Sequence, residues 1–355
     1  MQIAFVCLLV SLPGRLQSAK LEYIDYKIFA GNKNLSSPWV KDILQDKRGF
    51  VWITTNNNLV RYDSQRFTTF TPNPDQPGGI ISRKPISIES DSRDNVWITS
   101  PMALSRFDES AETFENFFLR DANGKSLLQN SQALILASNN QLVIGSLHGL
   151  LFFDPIEKAW THQFVNIGGG ESTRVREIVE TSPGEFLLGT STGMWRFNLE
   201  TEQFSRQAYI NNQGVDVGKF DILHILVDRE SRHWICTASD QLYCFSKDGT
   251  ELEFTIEGVS GSQSNLTHFS CVFQDRDGNI WAAPGQRGLI ALQPGSLDFH
   301  WMESDHGNKR LERNIISTLY ELSDGTLCFG TRSSGVIMLD SKRLPINFGA
   351  EVANV

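Results

Sequence analysis

A single template returns seven times along the chain, at intervals of 44 to 47 residues. A period of that length is the mark of a β-propeller, because each copy is one small sheet that cannot bury its faces alone. Anchored on a tryptophan or its substitute, the copies centre on Trp52, Trp97, Val143, Leu187, Trp234, Trp281 and Cys328. Nine residues before each anchor stands an aliphatic residue: Ile43, Ile88, Leu134, Ile178, Ile225, Val272 or Leu319. Three before it come Gly49, Asp94, Asn140, Gly184, Ser231, Gly278 and Gly325, residue types that make tight turns. Two after it every side chain is compact: Thr54, Thr99, Gly145, Gly189, Cys236, Ala283 or Gly330.

Each copy reads as four short strands. In the first, an inner strand over Trp39–Asp46 is followed by strands over Phe50–Thr55, Leu59–Asp63 and Arg66–Thr71. The fold class is therefore all-β: one seven-bladed propeller of four-stranded blades over residues 20–343. The anchor tryptophans read as packing between blades, since Val143, Leu187 and Cys328 replace them. Residues 22–29 share the aromatic spacing of the outer strands, with Tyr26 and Phe29 matching Phe67 and Phe70. They are expected to close the ring as the outer strand of the seventh blade. Leu344–Phe348, within a tail at 344–355, is then a surplus outer strand, such as a second propeller would begin with.

Residues 2–12 are apolar and lead to Pro13, Gly14 and the small residues Ser18 and Ala19, which reads as a signal peptide over residues 1–19 and places the protein in the periplasm. No later stretch has the roughly 20 apolar residues needed to span a bilayer. The formal charge of −9 repels phosphate backbones and argues against nucleic acid as a partner. Of the cysteines, Cys236 and Cys328 fall in core columns and read as small hydrophobes; Cys236 and Cys244 lie on two arms of one hairpin, which leaves a disulfide open.

Chemical motifs are sparse. The seven histidines have no short metal-ligand spacing, and no cofactor is expected. Asp46, Asp91, Asp228 and Asp275 precede the tryptophans in turns like the Asp-box of sialidase propellers, and read as turn caps. Arg61-Tyr62, Arg106-Phe107 and Arg196-Phe197 read as an outward-facing framework on the third strands.

The string running from Val40 through Ile43-Leu-Gln-Asp-Lys-Arg-Gly-Phe-Val-Trp-Ile-Thr-Thr55 to Arg61-Tyr-Asp63, with Gln274-Asp-Arg-Asp-Gly-Asn-Ile-Trp281, resembles the two-component regulator propeller repeat. The resemblance implies a periplasmic sensor region, usually two seven-bladed propellers and an immunoglobulin-like domain ahead of a membrane helix and a histidine kinase or diguanylate cyclase. The sequence in hand holds one propeller, which reads either as a truncated product or as a free-standing recognition domain. A second propeller or a sensor partner protein is the partner expected.

Propeller sites gather where the outer-to-inner connections and the second-to-third strand turns converge on the axis. Arg83, Lys84, Arg174, Lys219, Arg287, Arg313 and Arg332 fall there, against Asp221, Asp240 and Glu312. The turns on the opposite face hold Asp46, Asp91, Asp94, Asp228, Glu230, Asp275 and Asp277. A basic mouth attracts an anion, and with the family resemblance an acidic oligosaccharide is the expected ligand, clamped by Arg287 and Arg332 with Trp39 and His148 facing the sugar. Two other readings stay open: a non-catalytic interaction scaffold, and a lyase of the streptogramin type, which is built on a similar blade repeat and would use His148 and His268 in axis-facing loops.

Overall fold

The computed structural model describes residues 20–24, 27–30, 35–72, 78–82, 84–165, 167, 173–239, 241–257, 268–285, 288–293, 299–304 and 314–340. The expected signal peptide and the 344–355 tail lie outside them, as do Arg83, Arg287, Arg313, Asp240 and Glu312.

Seven antiparallel blades surround an axis. Blade 1 runs Val40–Gln45, Val51–Thr55, Leu59–Tyr62 and Phe67–Phe70. The inner strands of the next five blades are Ile88–Ser90, Ala133–Leu136, Val175–Ser182, Ile222–Val227 and Phe269–Gln274. Blade 7 supplies Ile316–Glu321, Thr326–Thr331 and Val336–Asp340 from the C-terminal part of the chain, and its fourth strand is Lys27–Ala30. The ring thus closes with an N-terminal strand, as expected. One detail differs: residues 22–29 do not form one strand, because Lys20–Ile24 pairs in parallel with Phe299–Ser304 and makes a fifth strand on blade 6. The same segment covers two edges, which leaves fewer unpaired backbone groups than a single closing strand would.

Every column of the repeat has a physical counterpart. The turn residues Gly49, Asp94, Asn140, Gly184, Ser231, Gly278 and Gly325 all have φ between 63° and 89°, the left-handed region that glycine, asparagine and aspartate tolerate best. The compact column sits against the next blade's inner strand. A methyl group on Gly145 would lie 2.7 Å from Val175, and one on Gly330 2.7 Å from Val40. Thr54 and Thr99 use the same contact to donate to the carbonyls of Ile86 and Ser131 at 3.0 and 3.2 Å.

The four anchor tryptophans are fully buried between blades. Each indole N–H donates to the aspartate six residues earlier: Trp52 to Asp46 at 2.9 Å, Trp97 to Asp91 at 2.9 Å, Trp234 to Asp228 at 2.8 Å and Trp281 to Asp275 at 2.8 Å. The same carboxylates also cap their turns, so the turn-capping role foreseen from the sequence is half of what they do. In blade 2, for example, Asp91 accepts from the amides of Arg93 and Asn95, both at 2.9 Å.

Neighbouring blades are tied turn to turn. The amides of Ser138, Arg229 and Arg276 donate to the side chains of Glu180, Gln274 and Glu321 in the following blade, at 2.7, 2.9 and 2.7 Å. Ser323 makes the equivalent bond to Gln45 at 2.6 Å, so the junction between the last blade and the first is built like the others. Arg61 and Arg106 are not outward-facing: their side chains are 12% and 19% exposed, and Arg61 stacks over Trp52 and Phe107 in the seam between blades 1 and 2. Cys236 and Cys244 are both free and buried. Cys236 faces Leu242 and Cys244 faces Trp234 across the hairpin, so the two sulfurs are out of register for a bridge.

Asp91→Ala should cost about 2–3 kcal/mol in chemical denaturation, because it strands a buried indole N–H and two turn amides. A loss under about 0.5 kcal/mol would show that the carboxylate does not hold the seam.

Candidate functional site: the axial channel

The seven inner strands crowd at the axis and leave a channel of about 600 Å³ lined by all seven blades. Its lining depends on a local irregularity. In blades 1, 4, 5, 6 and 7 the pairing of the inner strand shifts by one residue near its start, as between Val40 and Asp42 or Val175 and Glu177. Such a bulge sets two residues of the inner strand against one of its partner and re-aims the side chains there. Consecutive residues consequently line the channel: Lys41 with Asp42, Arg176 with Glu177, Leu223 with His224, and Ser317 with Thr318.

Basic side chains collect where the inner strands begin. The cations Lys41, Arg176 and Arg332 line this mouth together with His268. Lys41 lies with its Nζ 3.4 Å from the centroid of Trp39, and the Arg332 guanidinium stands over the same ring at 5.4 Å. Burial, reinforced by Arg332 and Lys84, holds the Lys41 ammonium down to about 8. Arg176 pairs with Asp221 at 2.7 Å, and Arg174 also acts on both groups. Burial lowers the His268 imidazole, with Arg332 and Arg176 adding to it, so His268 is neutral at pH 7.

Carboxyl groups lie deeper. Asp42 accepts from Ser87 Oγ at 2.9 Å, from the amides of Ile88 and Ile43 at 3.1 and 2.9 Å, and from Thr318 Oγ1 at 3.4 Å. It is a strut joining blades 7, 1 and 2, although burial still raises its pKa. Ser270 and Ser317 are similarly spent, donating to the carbonyls of Ile316 and Val40, both at 2.6 Å. Glu89 and Glu177 have no such set of donors. Burial raises them to about 7 and about 8, with the Asp42 charge adding to each shift. His224 Nε2 stands 3.4 Å from Glu177 Oε2, and burial depresses its imidazole to about 4. Both shifts favour the uncharged forms, so burial weakens any ion pair between Glu177 and His224.

Of the residues expected to form the site, Trp39 and Arg332 stand at the mouth, with Lys84 and Arg174 close enough to act on Lys41 and Arg176. His148 is not among the residues that line the channel, and the charges that act on it are those of Lys125 and Asp121. Lys219 ends a short 3-10 turn, Val217–Lys219, with its side chain 72% exposed and 3.8 Å from Asp216. Lys41, Arg176, Glu89, Glu177 and His224 were not expected. A polar pair at the start of an otherwise apolar inner strand is the signal that would have found Arg176 with Glu177 and Lys41 with Asp42. Among the described residues no group of three His, Cys, Asp or Glu is arranged to hold a metal ion, and no helix is long and apolar enough to cross a membrane.

A raised carboxyl pKa in the folded state means that the fold binds a proton the unfolded chain has already released. Glu177 therefore contributes stability at low pH that is lost between about pH 4.5 and pH 8, while His224, depressed from 6.5, costs stability as pH falls from 6.5 towards 4. The two oppose each other below pH 6.5. Above it, denaturation midpoints should fall up to about pH 8, and Glu177→Gln should remove the part of the fall above pH 7 while leaving that due to Glu89. Parallel curves for the two proteins would show that Glu177 is ionised in the fold.

Residues 34–57, which span the blade 1 inner strand, its turn and the second strand, match the family described as two component regulator propeller. No curated protein matches the sequence significantly. The fold is similar to that of the extracellular domain of the hybrid two component system BT3049 from B. thetaiotaomicron, with a TM-score of 0.71 and 18% identity over 94% of this chain and 42% of that one. The corresponding domain of BT4673 from the same organism gives a TM-score of 0.67 at 16% identity, over 89% of this chain and 40% of that one. Virginiamycin B lyase from Staphylococcus aureus gives 0.64 at 10% identity, over 89% of this chain and 99% of the lyase. The chain thus spans about two fifths of the length of the two sensor domains. The resemblance read from the sequence is thus matched at the blade 1 repeat, and the fold is that of a seven-bladed propeller similar to those in the two sensor domains.

Proposed function

We propose that this chain is an exported, sensor-type recognition propeller that binds an anionic oligosaccharide at the cationic mouth of its axial channel. The observation that carries the reading is the convergence of Lys41, Arg176 and Arg332 on one mouth, with Trp39 beneath two of them. Arginine pairs bidentately with carboxylate and sulfate, and an indole face beside it suits a sugar ring. The likeness to extracellular domains of hybrid two component systems supports recognition over catalysis. The signal is passed to a further propeller or to a sensor partner protein.

Binding is tested by calorimetry with uronate-bearing or sulfated oligosaccharides against the neutral chain of the same length. Arg176→Ala with Arg332→Ala should weaken the acidic ligand at least tenfold, about 1.4 kcal/mol, and leave the neutral one unchanged. Equal affinity for both ligands would place the site elsewhere. Export is part of the same reading: the intact mass of protein recovered from the periplasm should correspond to a chain beginning at Lys20, and a mass including residues 1–19 would reject it.

The lyase fold and the presence of His268 and Glu177 in the channel favour a second reading, a metal-assisted lyase. A bound divalent metal in elemental analysis of purified protein would favour it over recognition alone.

A further inference from the structure

We propose that Lys41 is a covalent capture site, which takes the carbonyl group of an anionic aldehyde or 2-oxo acid as a reversible imine. The inference rests on the anion-binding mouth proposed above and adds to it a reacting atom and a class of ligand. Three observations carry it.

Lys41 is the additional residue of the blade 1 bulge: Val40 faces Thr55 and Asp42 faces Thr54, so Lys41 has no partner opposite it and lines the channel. Its amine lies on the Trp39 face at 3.4 Å, and Trp39 is itself pinned, its carbonyl accepting from Asn56 N at 2.9 Å. The charged groups that act on this amine are Arg332, from the turn after the second strand of blade 7, and Lys84, from the connection into blade 2. Both are cations. An amine that is partly desolvated and flanked by other cations gives up its proton readily and becomes a nucleophile at neutral pH. Burial and those two cations lower the Lys41 amine to about 8, which increases its share of free base at neutral pH. Asp42, its neighbour in sequence, is held by donors from Ser87, Ile88 and Thr318 and does not compete for it.

The cations that lower the proton affinity of Lys41 also place an anionic substituent beside it. In the reaction the Nζ lone pair adds to the carbonyl carbon, the C–O bond breaks, and the oxygen leaves as water with the two amine hydrogens. No oxidant or further reactant is needed, and hydrolysis returns both partners. The open-chain reducing end of an acidic sugar belongs to this class.

Pyridoxal 5′-phosphate, an aldehyde carrying a phosphate, is the probe. The protein is incubated with it at pH 7, reduced with borohydride to fix any imine as a secondary amine, and mapped by peptide mass spectrometry. Lys41 should be labelled at least about tenfold faster than the mean of the other lysines. Lys41→Arg should remove that adduct with the melting temperature unchanged. Arg332→Ala should slow labelling by the phosphorylated aldehyde more than labelling by pyridoxal, which lacks the phosphate. Labelling spread evenly over the lysines, or an unlabelled Lys41 in a folded protein, would overturn the proposal. Protection of Lys41 by an acidic oligosaccharide supports the capture site and the anion site together. A Lys41 adduct without such protection keeps the capture site and rejects the oligosaccharide. Oligosaccharide binding with no Lys41 adduct rejects the capture site alone.

Discussion

In four of the seven blades a buried carboxylate accepts the indole N–H of the blade's own tryptophan, and the seams between blades are organised around that bond. Asp46, Asp91, Asp228 and Asp275 are each 5% exposed or less. Burying a charge of this kind costs several kcal/mol unless hydrogen bonds offset it. Here each carboxylate gathers turn amides, the indole and, in blades 2 and 6, the side-chain amide of Asn95 or Asn279. Neither partner is useful alone, since an indole without the aspartate is a buried unsatisfied donor. The sequence obeys this rule: where the anchor is Val143, Leu187 or Cys328, the sixth residue before it is Ala137, Thr181 or Leu322. The turn and the core are thereby specified by the same two positions.

Fixing the outer part of each blade in this way forces the inner strands together, and the channel inherits its character from that crowding. The second strand must keep a compact residue where the next blade's inner strand arrives, so the ring can be tight. Hydroxyls at the axis then serve the ring itself, as in Ser270 and Ser317, and Asp42 is saturated by three blades. What is left over for a ligand is the set the ring uses least: Lys41 and Arg332 at the mouth beside the Arg176–Asp221 pair, and Glu89 with the Glu177–His224 pair below them. Of these, Lys41, Arg176, Glu89, Glu177 and His224 lie on inner strands held from both sides, with Arg332 in a turn, and such strands give the preorganisation a binding site needs.

The fold was legible because every constraint just described recurs seven times. A column that must adopt positive φ, and one that must be small, cannot drift far without opening a seam. The site was legible only in part, and the bulge is the reason. Strict alternation sends Lys41 and Asp42 to opposite faces of the strand, whereas the bulge brings both to the channel. Attention falls instead on loop arginines and lysines; of those described, Arg332 lines the mouth, Lys84 and Arg174 lie close enough to act on Lys41 and Arg176, and Lys219 is exposed. His148 had the turn position of an axial residue, but it does not line the channel. The aromatic-flanked arginines misled for another reason. Arg61 looks like surface framework until the neighbouring blade is in place, when its guanidinium becomes the lid on Trp52 and Phe107.

The charge separation between the two faces also changes meaning in three dimensions. Several acidic residues of the turns opposite the mouth are the tryptophan acceptors, buried beneath their own amides, and Arg48 and Arg232 pair with two of them at 3.1 and 2.7 Å. They contribute little to a long-range field that could steer an anion to the far face or away from it. The protein as a whole carries −9, so at physiological salt, where charges beyond roughly 8 Å are screened, an approaching anion is not drawn in from a distance. For the anion proposed as ligand, selection would then be by contact, inside the mouth, where Lys41 and Arg332 share one indole face. Removing one of these cations therefore changes how long an anion stays more than how fast it arrives.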